Sequence, residues 1–273
     1  MSLACLNKLF TMTAAELPTA LSIAGSDSGA GAGIQADLLT FAANGVFGTT
    51  AITCLTAQNP QGVSGVLPVP PAFVLEQCQQ VVQHFHPRAL KTGMLLEAGI
   101  VEAVAGFIAT AGIPAVVDPV MVATSGATLL APAAVESVKK RLIPLAALVT
   151  PNLDEASILL GRKALGGPQA EAEAKELAKA YGVPFLLKGG HAEGDDLLDV
   201  LAWPDGRTLT LTARRAPGVD THGSGCTLSA AITAQIALGK GLAESVQSAH
   251  AYLQDGIHNS IKVSGLKVIR HGG

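Results

Sequence analysis

The sequence lacks the features that mark several classes of protein. Charged residues make up only 14% of the 273 residues and the formal net charge is −3, so it carries no electrostatic signature of binding to nucleic acid or an anionic membrane. The four cysteines lie far apart, with no CxxC pair, and no histidine cluster has ligand spacing. This usage argues against a structural zinc site and indicates a reducing cytoplasm.

No stretch has the pattern of a membrane span. The most apolar run, residues 100–117, contains Glu102 and is interrupted by Gly106, Gly112 and Pro114. We expect a helix, a turn and a buried strand there. Hydrophobic residues nevertheless make up 49% of the chain, which predicts a large core and little disorder.

The common nucleotide-binding and hydrolase fingerprints are also missing. The chain has no GxxxxGK[ST] loop, so it is not a P-loop protein. It also has no GxSxG elbow and no HRD and DFG pair. Gly29, Gly31 and Gly33 have the wrong spacing for GxGxxG. This spacing counts against a Rossmann dinucleotide site.

From residue 19 onward, short apolar runs alternate with helical patterns. The alternation predicts an α/β fold with a mainly parallel central sheet and helices on both faces. Late in the chain, Pro204-Asp205-Gly206 separates two strand-like runs and predicts a hairpin. Without a linker or internal repeat, we expect one domain over residues 19–265. We expect residues 1–18 to be a frayed tail or a cloning remnant, with Met12 as a candidate native start.

Polar groups next to glycine or proline follow most of the predicted strands. Because ligands of parallel sheets gather at the carboxyl ends of the strands, these segments predict where the site lies. The segments are residues 27–33, Gln58, 92–94, 118–121, 152–155, 188–191 and 218–227.

Residues 218–227 are the most informative of these segments. Glycine, serine, threonine and cysteine precede an apolar run at residues 228–238, which predicts a tight loop that enters a helix. The first amides of a helix lack intrahelical acceptors and favour an anion such as phosphate. We expect the same helix end to lower the pKa of the Cys226 thiol. The alternative is an ordinary glycine-rich turn with a buried, inert cysteine.

Seven short stretches occur in a characteristic order between residues 20 and 257. They are AGSDSGAGAGIQAD at 24–37, AQN at 57–59, KTGM at 91–94, DPVM at 118–121, TPNLDE at 150–155, LKGGH at 187–191 and THGSGCT at 221–227. In these stretches the sequence closely resembles the hydroxymethylpyrimidine kinase/phosphomethylpyrimidine kinase family. That family belongs to the ribokinase-like superfamily and acts in thiamine biosynthesis.

The resemblance implies a ribokinase-like three-layer sandwich and a two-step kinase. Such an enzyme phosphorylates 4-amino-5-hydroxymethyl-2-methylpyrimidine and then converts the monophosphate to the diphosphate. The resemblance further implies ATP and Mg2+ as cofactors and a cytoplasmic homodimer. It implies neither nucleic acid nor a membrane as partner.

Carried over position by position, the resemblance assigns four groups of residues. The glycine-rich stretch matches the family's anion hole, and Cys226 stands where sugar-kinase relatives usually carry a catalytic aspartate. The roles fit because phosphoryl transfer needs positioning and charge stabilisation more than covalent help. The groups are Gly223, Ser224, Gly225 and Cys226 for catalysis; Gly25, Asp37, Gln58, Met94 and Val120 for the pyrimidine; Asn152, Lys188, Gly190 and Thr221 for ATP; and Asp118 and Glu155 for Mg2+.

Several of these residues also have a simpler interpretation. Asp37 could be a solvated residue of an amphipathic helix, and Lys188 could be a surface lysine at a strand end. Gln58 could serve only in a turn. Asn152 and Glu155 have the spacing of a helix N-cap pair, which we expect whether or not they bind ligands.

Two other functions stay open at this level. One is a pyridoxal kinase built on the same frame, and the other is a non-catalytic ligand-binding protein. The chain also departs from the family at Thr124 and Ala127, where a lysine and an aspartate are frequent. This departure puts in question how the site closes over its substrate, because it removes a phosphate contact or an ion pair.

Overall fold

The computed structural model describes residues 16–121, 130–189 and 196–272. Within these ranges the chain forms a sheet of nine strands and a separate hairpin of two. The strands are β1 (Thr19–Asp27), β2 (Phe47–Asn59), β3 (Gly62–Pro68), β4 (Ala89–Thr92), β5 (Ala115–Val117), β6 (Leu148–Val149), β7 (Phe185–Leu187), β8 (Asp196–Ala202), β9 (Thr208–Arg214), β10 (Ile261–Val263) and β11 (Leu266–Val268).

The strand order is β3-β2-β1-β4-β5-β6-β7-β8-β9. Pairing is parallel from β2 through β7, and β3, β8 and β9 add antiparallel strands at the two edges. The connecting helices are α1 (Gly33–Ala43), α2 (Pro71–Phe85), α3 (Ala98–Ala111), α4 (Pro132–Ser137), α5 (Leu153–Leu160), α6 (Ala170–Tyr181), α7 (Ser224–Ala237) and α8 (Leu242–His258). The predicted α/β class with a mainly parallel sheet is confirmed.

The two faces of the sheet pack against different helices. Because side chains alternate along a strand, Val117 of β5 packs on the face covered by α2 to α6, whereas Val116 packs with α7 and α8. Near β1 the second face is closed by Phe41 of α1 against small alanines of α7. The sheet is therefore buried on both sides, which is why β5, β6 and β7 at its centre consist only of apolar residues.

Local sequence explains where the helices begin and end. Asn152 caps α5 with a reciprocal pair of hydrogen bonds: its Oδ1 accepts from the Glu155 N–H at 2.9 Å, and Glu155 Oε2 accepts from the Asn152 N–H at 2.9 Å. This confirms the predicted capping box. At their other ends α3, α5 and α6 stop at Gly112, Gly161 and Gly182, which adopt the left-handed conformation that favours glycine.

The structure adds elements that the sequence patterns did not predict. β2 continues through Asn59, and β3 folds back on it to form a hairpin. All seven residues of β3 are exposed, so its sequence does not show the alternation of a strand with one buried face. The hairpin of β10 and β11 lies near the end of the described chain, and β11 falls beyond the predicted boundary at residue 265. Helix α4 is α-helical only as far as Ser137, and the chain continues as a π-helical turn over Val138–Leu142.

The predicted single domain over residues 19–265 remains a prediction. Of the predicted tail, residues 1–15 lie outside the described ranges. No helix among the described residues is long and apolar enough to cross a membrane.

Candidate active site

A cavity of about 330 Å³ opens at the carboxyl ends of the parallel strands, as the sheet topology predicted. The N-terminus of α7 lies at its centre. Residues from the carboxyl ends of β1 and β2 and from the segment after β4 line one side, which we call the acceptor lobe, and residues from β8, β9 and α8 line the other, which we call the nucleotide lobe. The cavity is thus lined by two groups of elements that lie on either side of one helix end.

The first turn of α7 depends on a glycine. Gly223 has φ +80°, and a Cβ atom at this position would lie 1.8 Å from the Gly31 carbonyl oxygen, so no other residue fits. Ser224 N–H donates to Thr221 O at 3.0 Å and Thr227 N–H to Gly223 O at 2.8 Å. Between them, the amides of Gly225 and Cys226 belong to the turn whose N–H groups have no intrahelical acceptor. They form a cradle suited to an anion.

A cation lies directly beside this cradle. Lys188 Nζ is 3.1 Å from Asp118 Oδ1 and would be 3.2 Å from a Cβ on Gly225. Burial lowers the pKa of Lys188, but the Asp118 and Glu155 carboxylates outweigh it and the net shift is upward. Lys188 is therefore charged at neutral pH and is not the solvated surface lysine of the alternative interpretation. It follows β7, just as Thr150 follows the neighbouring strand β6 and Asp118 follows β5.

Two buried carboxylates complete the central part of the cavity. Asp118 accepts hydrogen bonds from Thr150 Oγ1 at 3.2 Å and Ser229 Oγ at 3.3 Å. Burial raises the pKa of Glu155 to about 7, with Lys188 opposing the shift and Asp118 adding to it. One lysine thus faces two carboxylates, and the negative charge in excess would be offset by a bound cation.

The expected low pKa of the Cys226 thiol is contradicted. Burial raises the pKa to about 11, although the Lys91 ammonium opposes the shift and the Gly33 N–H donates to the sulfur. The Asp37 and Asp118 carboxylates add to the rise. The desolvation of a buried thiolate therefore outweighs the helix end, and Cys226 is a neutral thiol at pH 7.

The expected position of Asp37 in the pyrimidine pocket is also not what the structure has. Its side chain is completely buried, with Oδ1 2.7 Å from Lys91 Nζ and Oδ2 2.5 Å from Ser22 Oγ. Asp37 is absent from the cavity lining, and it is not solvated either. Both carboxylate oxygens face partners inside the protein because α1 packs its inner side on β1 and β4.

The acceptor lobe combines an apolar floor with polar groups at one edge. Gly25 lines this floor, and a side chain does not fit there because its Cβ would lie 2.8 Å from Cys54 Sγ. Met94 and Val120 add apolar surface, and the Gln58 amide provides hydrogen-bonding groups. A flat heteroaromatic ring fits such a lobe, with polar contacts at one edge only.

Sequence reasoning missed two polar residues of this lobe. Asp27 ends β1, and its carboxylate accepts from the backbone N–H groups of Gly29 and Ala32 at 2.8 and 2.9 Å. His222 lies in the glycine-rich stretch at 221–227, and its Nε2 lies 3.3 Å from Asp27 Oδ2 and 3.0 Å from Gln58 Nε2. The available signal was the position of both residues inside glycine-rich stretches.

The nucleotide lobe was also missed, apart from the residues carried over from the family. Its walls come from strand β8, strand β9 with the segment that follows it, and helices α7 and α8, and most of its side chains are apolar. They make no short motif because each element contributes one or two of them. They are Leu197, Ala213, Ala216, Leu228, Leu253 and Ile257.

Most residues assigned from the sequence lie around this one cavity. Gly190 falls outside the described residues, as do Thr124 and Ala127, so their predicted roles stay predictions. The assigned residues that line the cavity are Gly25, Gln58, Met94, Asp118, Val120, Asn152, Glu155, Lys188, Thr221, Gly223, Ser224, Gly225 and Cys226.

Comparison with known proteins gives concordant matches. The family model described as phosphomethylpyrimidine kinase matches residues 27–269. A hydroxymethylpyrimidine/phosphomethylpyrimidine kinase from Synechococcus elongatus is 45% identical over 248 residues, covering 90% of this chain and 94% of the relative. A thiamine biosynthesis bifunctional protein from Geobacter sulfurreducens is 43% identical over 235 residues, or 85% of this chain and 48% of that protein. The crystal structure of Bacillus subtilis pyridoxal kinase with ADP superposes with a TM-score of 0.86 at 33% identity, covering 94% and 98% of the two chains.

Proposed function

Because this chain belongs to the phosphomethylpyrimidine kinase family, we propose that it phosphorylates 4-amino-5-hydroxymethyl-2-methylpyrimidine and then its monophosphate, for thiamine biosynthesis. The observation that carries the proposal is the anion cradle at Gly225 and Cys226, which lines the same cavity as the acceptor lobe and the nucleotide lobe. In this arrangement a phosphoryl group passes from one lobe to the other across the helix end. The chain is a kinase, and ATP is the phosphoryl donor.

The acceptor lobe suits a small aminopyrimidine. The ring would lie on the floor made by Gly25, with Met94 and Val120 as apolar contacts. Gln58 would pair with the amino group and the adjacent ring nitrogen, since a primary amide offers an acceptor beside two donors. This places the hydroxymethyl group toward the cradle.

The nucleotide lobe suits the base and phosphates of ATP. Its apolar walls would enclose the adenine, while Asn152 and Thr221 lie where phosphates would approach the cradle. Crystallisation of the related pyridoxal kinase with ADP supports this use of the fold. We extend the nucleotide contacts to Gly190 from the family resemblance alone.

Transfer requires that the charge on the migrating phosphoryl group be stabilised without water. The amides of Gly225 and Cys226 would hold its oxygens, and Lys188 would offset charge on the donor side. The transition state of phosphoryl transfer is loose, so these contacts contribute more than removal of the acceptor's proton. After the first reaction, the new phosphate ester takes the acceptor position for the second.

The residues of the centre fit a Mg2+ ion. Asp118 and Glu155 supply the oxygen ligands that Mg2+ prefers, and the excess of carboxylate over lysine favours a cation. No group of three or more candidate ligands is found among the described residues. That pattern agrees with Mg2+, which is usually bound by one or two carboxylates together with phosphates and water. The ion would supply charge neutralisation of the ATP phosphates.

Steady-state kinetics on the purified chain tests the proposal. We expect a higher kcat/KM for hydroxymethylpyrimidine than for pyridoxal, with mass spectrometry showing the monophosphate followed by the diphosphate. The pyridoxal kinase alternative rests on the high structural similarity to such an enzyme, but the identity of 33% is lower than the 45% to the named pyrimidine kinase. A higher kcat/KM for pyridoxal, or a product that stops at the monophosphate, would contradict the proposal.

We also propose a homodimer formed through the β3 edge of the sheet. Four apolar side chains there are 43–63% exposed, and an exposed edge strand with apolar side chains favours pairing. Because Val63 and Val66 also line the acceptor lobe, a partner at this edge would shield the substrate. The four exposed apolar residues of this edge are Leu55, Val63, Val66 and Leu67.

The substitution Leu67→Lys should shift the sedimentation coefficient from that of a dimer to that of a monomer.

The described cysteines are all free, which agrees with a reducing compartment. We therefore propose the cytoplasm as the place of the reaction. Localisation of a fluorescent fusion, with fractionation as the second measurement, tests this.

A further inference from the structure

Two polar side chains, those of Gln58 and Asp27, meet at one nitrogen of the His222 ring. His222 Nε2 lies 3.0 Å from one heavy atom of the Gln58 amide and 3.3 Å from Asp27 Oδ2. The other heavy atom of the amide lies 3.2 Å from Thr56 Oγ1. Since Gln58 lines the acceptor lobe, the orientation of its amide decides where an incoming ring meets a donor and where it meets an acceptor.

The position of the His222 proton distinguishes the two orientations. Asp27 accepts from Gly29 N–H at 2.8 Å and Ala32 N–H at 2.9 Å, as an ionised carboxylate does. If Nε2 carried no proton, its lone pair would face the Asp27 carboxylate, and two hydrogen-bond acceptors would repel each other. The proton therefore belongs on Nε2. An Nε2–H can donate to both neighbours only if Gln58 turns its oxygen toward the ring.

Thr56 leads independently to the same orientation. Its hydroxyl has one proton, which it donates to the Ser26 carbonyl oxygen at 2.8 Å. The amide atom that faces Thr56 Oγ1 must then be a donor, which is the nitrogen. Rotating the Gln58 amide by about 180° exchanges the oxygen and nitrogen without moving the heavy-atom positions, and both neighbours become satisfied.

We propose that His222 is a positioning residue that fixes the Gln58 amide, with Oε1 toward the imidazole and Nε2 toward Thr56. The consequence for substrate rests on the proposed function. An aminopyrimidine has an amino donor next to a ring-nitrogen acceptor, so only one orientation of the amide pairs with both. Because the Gln58 amide already has this orientation in the free protein, it is complementary to an aminopyrimidine before the ring binds. Binding then requires no further loss of conformational entropy from the Gln58 side chain.

The charges around the imidazole support the arrangement. The hydrogen bond to Asp27 raises the pKa of His222; burial opposes the rise, and the Asp27 and Asp220 charges add to it. Asp220 also accepts from the His222 backbone N–H at 2.9 Å, which anchors the residue. A Cβ on Gly31 would lie 2.8 Å from His222 Cδ2, so the ring is held on that side by the glycine-rich loop. Both carboxylates favour a protonated imidazole, and Asp27 is the one that contacts Nε2.

Nitrogen NMR of the free protein tests the hydrogen-bond arrangement without any substrate. At a pH above the His222 pKa, the ring should be the neutral tautomer with its proton on Nε2. Replacing Gln58 by Glu keeps an acceptor toward the ring and should raise the pKa of His222 further. A neutral ring with the proton on Nδ1, or an unchanged pKa in Gln58→Glu, would overturn the proposal.

Kinetics test the consequence for substrate. The variant His222→Leu should raise KM for hydroxymethylpyrimidine about tenfold with little change in kcat, the size expected for one lost hydrogen bond. The variant His222→Gln restores an N–H donor and should recover most of the loss. His84→Gln, on the exposed surface of α2, is the matched control and should behave as the parent protein.

The outcomes separate this inference from the proposed function. If the parent protein does not turn over hydroxymethylpyrimidine, the proposed function fails, while the tautomer measured by NMR still decides the orientation of the amide. If His222→Leu and His222→Gln lose activity equally through kcat, the histidine has a different role and the inference is wrong. If His222→Leu does not fold, the NMR result on the parent protein decides.

Discussion

The Lys91 ammonium lies 2.7 Å from the Asp37 carboxylate, and neither side chain is exposed to solvent. Burial alone would lower the pKa of Lys91, but the nearby carboxylates, Asp37 first and then Asp118, raise it above its ordinary value. The ion pair therefore lies beneath the site, with its positive member directed at the thiol and a central carboxylate. Its partner Asp37 supports the lysine from α1 and leaves the cavity lining to other residues.

We expect Asp37→Asn to cost roughly 3–5 kcal/mol of unfolding free energy, because it leaves Lys91 as an uncompensated buried charge. Urea unfolding of the variant measures this loss. The double variant with Asp37→Leu and Lys91→Met removes both charges and should recover most of the stability. If Asp37→Asn keeps its stability and only raises KM for the pyrimidine, the carboxylate contacts substrate, as the family resemblance implied.

The case of Asp37 illustrates what the sequence can and cannot predict. The alternation of strands and helices, the capping box at Asn152 and the cluster of glycine-rich loops follow from local patterns, and the structure agrees with them. Which side of α1 faces the cavity depends on how the helix is rotated on the sheet. Because Lys91 lies far away in sequence, no local pattern indicated that Asp37 has a buried partner.

The parts that were missed share the same cause. β3 pairs only with β2 at the edge of the sheet, so its side chains show no buried alternation. The nucleotide lobe is formed by single apolar residues from four elements, such as Leu197 and Ile257, which look like ordinary core residues in the sequence. The pKa of Cys226 depends on how deeply the thiol is buried, because burial disfavours the thiolate. The position of a cysteine at a helix N-terminus in the sequence does not indicate this burial.

The anion cradle predicts the effect of filling Gly225. We expect Gly225→Val to reduce kcat by at least about 10²-fold, the scale of losing a preorganised oxyanion donor, because its side chain would meet Lys188 Nζ and block the phosphoryl group. Circular dichroism should show an intact fold. Gly241→Val is the matched control, since Gly241 precedes α8 with open space around it. A folded and fully active Gly225→Val protein would mean that the phosphoryl group binds elsewhere.

Removing the charge of Glu155 separates its role toward Mg2+ from its role in capping α5. We expect Glu155→Gln to lower kcat and raise the Mg2+ concentration needed for half-maximal rate, with little change in KM for the pyrimidine. The amide oxygen can still accept from the Asn152 N–H, so the cap survives. An unchanged Mg2+ requirement would leave only the capping role, worth about 1 kcal/mol.

The raised pKa of Glu155 also predicts a pH dependence of stability in the absence of Mg2+. The pKa is about 7 in the folded protein against 4.5 as its ordinary value, so the folded state holds an extra proton between these two values. The stabilisation is complete below about pH 4.5 and is lost as the pH rises through about 7. We expect the stability of the parent protein relative to Glu155→Gln to fall over this window. Thermal unfolding of both proteins from pH 4 to 8 measures the difference, and parallel curves would contradict it.

The neutral thiol of Cys226 limits the part it can play in catalysis. With the pKa at about 11, only roughly one molecule in 10³ or fewer carries a thiolate at pH 7.5, so a base at this position is almost always in its protonated form. A bound phosphoryl group would reduce that fraction further, because it competes for the same positive helix end. The loose transition state needs little deprotonation of the hydroxymethyl group until late. The backbone N–H of Cys226, which any residue supplies, is then the larger contribution.

We therefore expect Cys226→Ser to retain activity, with kcat/KM lowered by at most about 10²-fold, the low end for loss of a general base. Cys226→Asp should retain more if a carboxylate can accept the proton, as the family resemblance implies for sugar kinases. Labelling with iodoacetamide should be slow at pH 7 to 8 and should accelerate steadily toward the pKa of about 11. Because Cys54 and Cys78 are buried and also free, peptide mass spectrometry must assign the labelled site. Complete inactivity of a folded Cys226→Ser protein, or rapid labelling of Cys226 at pH 7, would show that the thiolate itself carries the reaction.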